Sequence, residues 1–241
     1  MKTSTKRSII TTDEKYCRRG VVSSFILIVI SIFFIGCGGG DSSAVDTTDV
    51  ISPSSQTIDD DEKYALSYMW HEEKLAYDLY LALDAANSIS QMRNIAVNSE
   101  SQHISLVETL VQSYDINITN LSDYAIEYSE AELRSMPAGV FAIADVQTLY
   151  DDLYTRGSGS VAASLEVGCI VEVVDVDDLN HYISVAVDKQ DLVDTFEVLR
   201  AGSYKHYWTF DTALKNLGVT DGCCSVDGGI YCKSEAEFPN I

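Results

Sequence analysis

Apolar residues recur at helical spacing along most of the chain beyond residue 60. Two stripes lie at intervals of three, four and seven residues, one over Asp60–Leu83 and one over Ser90–Tyr114. Their members are Leu66, Met69, Ala76, Tyr80 and Leu83 in the first, and Met92, Ala96, His103, Leu106 and Leu110 in the second. Because Asn87-Ser88 between them is typical of a short turn, the pattern predicts an antiparallel helix pair.

A second helix pair is predicted nearer the C-terminus. Ser160 is a favourable N-cap for a helix from Val161 to about Ala186, and Asp188 or Asp191 can cap another that runs to about Leu217. The run of valines at 167–176 has strand propensity, but its length and its acidic spacing favour a helix.

The two helix pairs are joined by a long connection. Residues 115–158 contain Pro137 and a short predicted helix near Val146–Tyr154. Two antiparallel hairpins with one long link between helices 2 and 3 predict an all-α fold, the ferritin-like four-helix bundle, over residues 61–218.

The first 36 residues are typical of a signal peptide. A basic stretch ending in Arg18-Arg19 precedes an apolar run from Val21 to Ile35, which is too short to span a membrane as a helix. Phe34-Ile35-Gly36-Cys37 resembles a lipobox, so we expect cleavage before Cys37 and acylation of its thiol. An uncleaved N-terminal anchor is the alternative.

Residues 37–60 then follow as a lipidated cysteine and a flexible tether, because Gly, Ser, Thr and Asp dominate this stretch. Residue 38 is Gly rather than Asp, which favours an outer-membrane or surface location over the inner membrane. The sequence therefore predicts an exported protein whose membrane partner is reached through the lipid on Cys37.

The charge of the chain is strongly negative. The whole sequence carries −21, and removal of residues 1–36 leaves 10 basic against 35 acidic residues, a net charge of −25. Since binding to phosphate backbones depends on clustered cations, we expect no nucleic-acid partner. Such a surface can help to gather metal cations, the expected partners, although the commonest meaning of acidity is solubility.

Four cysteines lie beyond Cys37: Cys169, Cys223, Cys224 and Cys232. In an exported protein these can oxidise, and a bridge within the Cys/Gly-rich tail, residues 219–241, is expected. Cys169 is either a buried thiol or a bridge to the tail. A zinc knuckle is disfavoured because no pair has the two-residue spacing of zinc ribbons.

Acidic residues and histidines fall at matching heights in the predicted hairpins. Glu73 lies fourteen residues before Asn87 and Glu100 thirteen after it; Glu172 and His206 are each seventeen residues from Lys189. His103 follows Glu100 at i, i+3, and Asp175 follows Glu172 at the same spacing.

Charged groups on otherwise apolar faces require partners. Two metal ions would satisfy six side chains together, with iron the first choice and manganese or zinc also suitable. The predicted ligands are Glu73, Glu100, His103, Glu172, Asp175 and His206.

Several motifs resemble known families. Glu73-Lys74-Leu75-Ala76 with Tyr80, Glu100-Ser101-Gln102-His103, and Gly168 followed by Glu172 are similar to the ligand helices of rubrerythrin-type di-iron proteins.

Five motifs, in order, resemble more closely an uncharacterised prokaryotic ferritin-like family, the domain of unknown function numbered 2202. They are Glu72 to Ala76, Ser99-Glu100 with His103, Leu149 to Asp151, Glu172 to Asp175, and Gly202-Ser203 with His206. The resemblance spans about residues 64–215. It implies a ferritin-like fold and a metal site without a settled reaction.

The chain departs from the ferritin-like pattern on the fourth helix. That helix usually offers Glu-x-x-His, and here it reads Ser203-Tyr204-Lys205-His206. Asp175 restores the number of four carboxylates, and either Glu72 or Glu73 can be the first ligand. A buried salt-bridge network that draws on Lys74, Arg93 or Lys205 is the alternative to metal.

Other residues receive simpler interpretations. Tyr80 is expected to pack in the core, while His71 and His181 fall off the ligand stripes and are expected at the surface.

Two functions remain open. The first is a two-metal protein that performs redox chemistry with iron, dioxygen or peroxide, in the manner of a ferroxidase or peroxidase. The second is a non-catalytic surface lipoprotein, stabilised by metal or binding a partner. The sequence contains no Cys-x-x-Cys rubredoxin-like segment, which disfavours an autonomous peroxide reductase and favours ferroxidase-like or oxidase chemistry.

Overall fold

The computed structural model describes residues 57–240, and over this range the chain is all-α, with seven α-helices and no strand. The helices are α1 Asp60–Asn87, α2 Ser90–Ile95, α3 Ser101–Ser113, α4 Glu130–Arg134, α5 Ala144–Gly157, α6 Val161–Val185 and α7 Gln190–Asn216. A π-helical turn, Ala96–Glu100, connects α2 to α3, and a 3₁₀ segment, Gly222–Gly229, follows α7. The predicted signal peptide and Cys37 lie outside the described residues.

Local sequence determines where α1 begins and ends. Asp59 and Glu62 form a capping box, in which each carboxylate accepts from the other residue's backbone N–H, at 2.9 and 2.7 Å. At the other end Ser88 takes a left-handed conformation, with φ of 56°. The predicted turn at Asn87-Ser88 is therefore present.

The second hairpin begins as predicted but its second helix is capped differently. Ser160 accepts from the backbone N–H of Ala163 at 3.1 Å and starts α6. Lys189, without a side-chain cap, precedes α7, so the expectation that Asp188 or Asp191 caps this helix is wrong. Asp191 instead accepts a hydrogen bond from Tyr114 at the end of α3. The carboxylate of Asp191 therefore takes part in a tertiary contact and does not cap α7.

Four helical stretches surround the interior of the described region: α1, the continuous α2–α3 stretch, α6 and α7. The largest contacts are between α6 and α7, between α1 and α3, and between α1 and α6, while α5 covers the groove between α1 and α6. Buried apolar residues form two clusters, one containing Met69 and Leu199 and the other Leu75 and Tyr207. On α1, Glu73 lies at the boundary between them.

The tail carries two disulfides, one of which joins it to the second hairpin. Cys169 on α6 is bonded to Cys223, and Cys224 is bonded to Cys232. The prediction of a bridge within the tail is confirmed, and the open choice for Cys169 is resolved as a bridge to the tail. Cys223 is fully buried, so this bridge fixes the 3₁₀ segment against α6 and α7.

One expectation about an individual side chain is wrong. His71 was expected at the surface, but it is 2 % exposed, with Nε2 3.2 Å from the carbonyl oxygen of Ile118. The loop after α3 covers it, which a helical stripe on α1 does not reveal. Within residues 57–240 no helix has the length and apolar character of a membrane span.

Candidate metal centre

Five metal-ligating side chains from the four long helical stretches meet in the interior. They form two overlapping groups: Glu73, Glu100 and His103, and Glu100, Glu172 and His206. In each group one potential ligand atom per residue lies within 4.8 Å of the others. All five residues are at least 94 % buried, and Glu100 belongs to both groups.

The first group joins α1 to α3. His103 Nδ1 lies 2.9 Å from Glu100 Oε2 and 3.2 Å from Glu73 Oε2. The i, i+3 spacing of Glu100 and His103 places both on one helix face, and Glu73 faces them because the hairpin turn matches their heights.

The second group joins α6 to α7 through the same glutamate. His206 Nδ1 lies 3.0 Å from Glu100 Oε1 and 3.4 Å from Glu172 Oε2. The two oxygens of Glu100 therefore face different imidazoles, whose ring centroids are 5.7 Å apart. One carboxylate connects the two groups.

A local irregularity of the backbone positions Ser99 and Glu100. Both belong to the π-helical turn Ala96–Glu100, which adds one residue to the helical repeat between α2 and α3. The hydroxyl oxygen of Ser99 lies 2.8 Å from His206 Nε2 and 3.5 Å from His103 Nε2. With each Nε2 directed at Ser99, each Nδ1 points at the carboxylates.

The absence of a side chain at Gly202 on α7 leaves room for His103 where α7 packs against α3. A Cβ atom at Gly202 would lie 2.5 Å from His103 Nε2, far inside contact distance. A glycine in a helix interior costs about 1 kcal/mol relative to alanine, so its presence here signals a close approach. The structure identifies that approach as the imidazole of His103.

Glu172 is fixed from a second direction by Tyr80. The phenol of Tyr80, which is fully buried on α1, donates to Glu172 Oε1. This leaves Oε2 for His206. Tyr80 was expected to be a core residue, and it is one, with its hydroxyl paired to the cluster.

Burial and mutual charge set the protonation of the cluster. Burial raises the pKa of Glu73 to about 7, against the opposing influence of His103. Burial also acts to raise the pKa of Glu100, but the imidazoles of His206 and His103 outweigh it and the pKa falls. For His206, burial favours the neutral form, yet Glu172 and Glu100 raise its pKa to about 10. Without metal, the imidazoles hold protons between the carboxylates.

The hydrogen bonds of these residues nevertheless leave one carboxylate oxygen unsatisfied and one imidazole nitrogen poorly aligned. Glu73 Oε1 is buried and has no hydrogen-bond partner, and His206 Nδ1 lies 3.0 and 3.4 Å from carboxylate oxygens without a well-aligned hydrogen bond. Such atoms are costly unless another group meets them. A cation between Glu73, Glu100 and His103, and another between Glu100, Glu172 and His206, would supply that group. The donor set therefore fits metal.

Lysine and arginine do not supply the positive charge. Lys74 pairs with Asp78, and Arg93 pairs with Asp84. Among the ion pairs of residues 57–240, the three glutamates of the cluster meet only histidines. This leaves protons or metal ions as their counter-charges.

Asp175 and Glu72 stand apart from the two groups. Asp175 Oδ2 accepts from the hydroxyl of Ser203 at 2.5 Å, and it is not among the atoms that converge. Glu72 is bonded to Asp178 on α6 rather than to a histidine. Its Oε2 is buried. The structure thus brings Glu73, not Glu72, to His103.

Sequence reasoning gave no role to Ser99 or Gly202. For Gly202 the signal was a glycine within a helix, one turn before His206. For Ser99 no comparable signal exists, because its two contacts depend on the π-helical turn.

The family of the chain follows from comparison with known proteins. Residues 62–223 match the model of the family described as "Uncharacterized protein domain (DUF2202)". The chain belongs to this family. The match includes every residue of the two metal-ligating groups.

One protein is similar to this chain both in sequence and in solved structure. The chain is 32 % identical over 169 residues to the uncharacterised protein MJ0754 of Methanocaldococcus jannaschii, covering 70 % of this chain and 83 % of the relative. The crystal structure of the hypothetical protein MJ0754 is similar with a TM-score of 0.60, covering 70 % of this chain and 87 % of that one. The all-α architecture is therefore shared with an experimentally determined structure.

Proposed function

We propose that this protein binds two metal ions in the two overlapping groups and uses them for redox chemistry with iron, dioxygen or peroxide. The observation that carries the proposal is the convergence of three glutamates and two histidines, with the buried Glu73 Oε1 left without a hydrogen-bond partner. Four long helical stretches with these residues inside are the arrangement of ferritin-like di-metal proteins, and we assign the chain to that architecture.

The donor set favours iron or manganese, with zinc also suitable, because three hard carboxylates and two imidazoles suit these ions. When bound, two metal ions would supply a site that exchanges electrons with a small oxygen species. The protein's own part is to present Glu100 to both groups, to orient Glu172 through Tyr80, and to orient both imidazoles through Ser99. The buried surroundings limit the access of bulk water.

The competing function is structural, and one observation favours it. Without metal, His103 and His206 already lie 2.9 to 3.4 Å from carboxylate oxygens, as a protonated ion-pair network would. Metal content separates a protonated ion-pair network from a metal site, and reactivity with oxygen species separates a structural metal from a redox one.

The first experiment measures metal bound by the purified protein. Anaerobic reconstitution with Fe(II) should give about two ions per chain, the number expected of a two-metal site. Glu100→Gln should lose both ions, because Glu100 is shared, while its helical circular dichroism stays unchanged. Glu197→Gln, an exposed residue of α7, is the matched control and should keep both. A wild-type protein that stays metal-free and folded would overturn the proposal.

The second experiment separates redox chemistry from a structural metal. Dioxygen or peroxide added to the Fe(II) protein should produce ferric absorption faster than free iron does at the same pH. Full loading without this acceleration would favour a metal-stabilised, non-catalytic protein.

We also propose that the protein is exported and anchored in the outer membrane or at the cell surface by a lipid on Cys37. The basic stretch, the apolar run and the Gly36-Cys37 junction support this. Cys37→Ser should release the protein from the membrane fraction or leave its precursor uncleaved. Mass spectrometry that finds an unmodified Cys37 in the membrane-bound wild type would reject it.

A further inference from the structure

A pocket lies under α5, between α1 and α6. Its walls are apolar: Leu75 and Ala76 of α1, Leu149 and Leu153 of α5, and Ile170 and Val174 of α6. Its volume is about 40 Å³, and it is partly open to solvent. We refer to it as the α5 pocket. One water-sized guest needs roughly 10–15 Å³, so there is room for a small molecule.

The α5 pocket adjoins the metal-ligating groups. Asp175 lines it, and the same carboxylate accepts from Ser203 on α7, one turn before His206. Ala76 lies one turn after Glu73 on α1, and Val174 lies two residues after Glu172 on α6. The walls of the pocket and the candidate ligands therefore share α1 and α6, and Asp175 lines the pocket while its carboxylate bonds to Ser203, one turn before His206.

The chemistry of the walls selects the occupant. An apolar cavity stays dry and accepts apolar guests such as xenon, whereas a hydrated ion would lose its water without gaining ligands. Its two carboxyl groups are already engaged, Asp175 with Ser203 and Glu72 with Asp178. Glu72 Oε2 lacks a further partner, which makes a small organic cation the competing occupant.

We propose that the α5 pocket is a binding site for a small apolar molecule of about the size of dioxygen, held next to the metal centre. Its catalytic meaning rests on the proposed function, because it would deliver the oxidant to the ions. The binding itself depends only on the walls of the pocket and does not require metal.

The test fills the pocket from two sides. Val174→Phe and Leu149→Phe place a larger side chain at partly exposed wall positions on different helices, so that one variant remains if the other misfolds. Val161→Phe, at an exposed position in the first turn of α6, is the matched control. Xenon added to the metal-free protein should shift the methyl resonances of Leu153, Ile170 and Val174 in the wild type and in the control. Val174→Phe should abolish the shifts of Leu153 and Ile170, and Leu149→Phe should abolish those of Ile170 and Val174.

The second readout uses the iron-loaded protein. With two ions bound, oxidation by dioxygen should slow about tenfold in either filled variant and stay unchanged in Val161→Phe. Unshifted methyl resonances under xenon, or an unchanged oxidation rate in filled variants, would overturn the inference. Displacement of xenon by methylammonium would overturn it in favour of the organic cation. A protein that binds no metal would overturn the proposed function but not the α5 pocket, because the xenon experiment uses metal-free protein.

Discussion

The two helix hairpins present the same ligand types with one difference. In the first, α1 supplies Glu73 and α3 supplies His103; in the second, α6 supplies Glu172 and α7 supplies His206. Three residues before its histidine, however, the first hairpin has Glu100 and the second has Ser203. Glu100 faces both imidazoles, whereas Ser203 donates to Asp175.

The difference makes the centre asymmetric. The first hairpin contributes Glu100, which both groups share. The second contributes Asp175, which belongs to neither group and accepts a hydrogen bond from Ser203. The two hairpins also differ in backbone: a π-helical turn precedes α3, while α6 and α7 are continuous. The irregular hairpin thus supplies the shared ligand, Glu100. A change at Glu100, which belongs to both groups, should remove both ions, whereas a change at a residue of one group should remove one.

The largest effect distinguishes the two histidines. His103→Ala and His206→Ala each remove one imidazole that belongs to one group only, so each should leave about one ion bound. Loss of an outer partner alone weakens metal binding 10–100-fold, and loss of a ligand should exceed about 100-fold at its own site. Metal analysis after anaerobic dialysis measures this. Equal loss of both ions in both variants would contradict two separable groups.

The next effect concerns the contact between the hairpins. In Gly202→Ala the new methyl group must displace the imidazole of His103, so the ion at the first group should be lost and the second kept. Overpacking costs about 1–3 kcal/mol and helix propensity returns about 1 kcal/mol, so the free energy of unfolding should fall only slightly. Gly159→Ala, where the added methyl group meets nothing within 4 Å, is the control. Calorimetric metal titration and chemical denaturation give the two quantities.

A smaller effect should reach both hairpins at once. Ser99→Ala removes the hydroxyl that faces Nε2 of both imidazoles, so both ions should bind about 10–100-fold more weakly, with the number of sites unchanged. Ser101→Ala removes a hydroxyl that bonds only to the carbonyl of Val97 and should leave both affinities intact. Unaltered affinities in Ser99→Ala would mean that packing alone orients the imidazoles.

The two hairpins also show which parts of the fold and the candidate site can be predicted from the sequence. The heights of Glu73 and Glu100, and of Glu172 and His206, follow from helical rise and turn position, which are local properties. Local periodicity and spacing therefore predicted the long helices and the five residues that converge in the interior. The family match also confirms the predicted resemblance to the uncharacterised domain family.

What escaped prediction depends on contacts between elements. The π-helical turn carries no composition signal, and α4 is a five-residue helix inside the long connection. Asp175 was predicted as a ligand from its i, i+3 spacing to Glu172. The structure instead pairs it with Ser203, since spacing fixes a helix face and not the side chain's partner. The burial of His71 under the loop after α3 has the same origin.

The smallest effect tests what the serine on α7 does. Ser203→Ala removes the donor to Asp175 Oδ2 and leaves that buried carboxylate without its hydrogen bond. A hydrogen bond of this kind contributes about 1 kcal/mol net, so the free energy of unfolding should fall by that amount. Because Ser203 lies one turn before His206, the ion at the second group should weaken by about fivefold, which is about 1 kcal/mol, while the first group is unaffected. Ser184→Ala, at an exposed position of α6 where the hydroxyl bonds to the carbonyl of His181, is the control. If instead Ser203→Ala strengthens the second site, the freed carboxylate of Asp175 has moved to the ion, and the asymmetry of the hairpins is a restraint imposed by one serine.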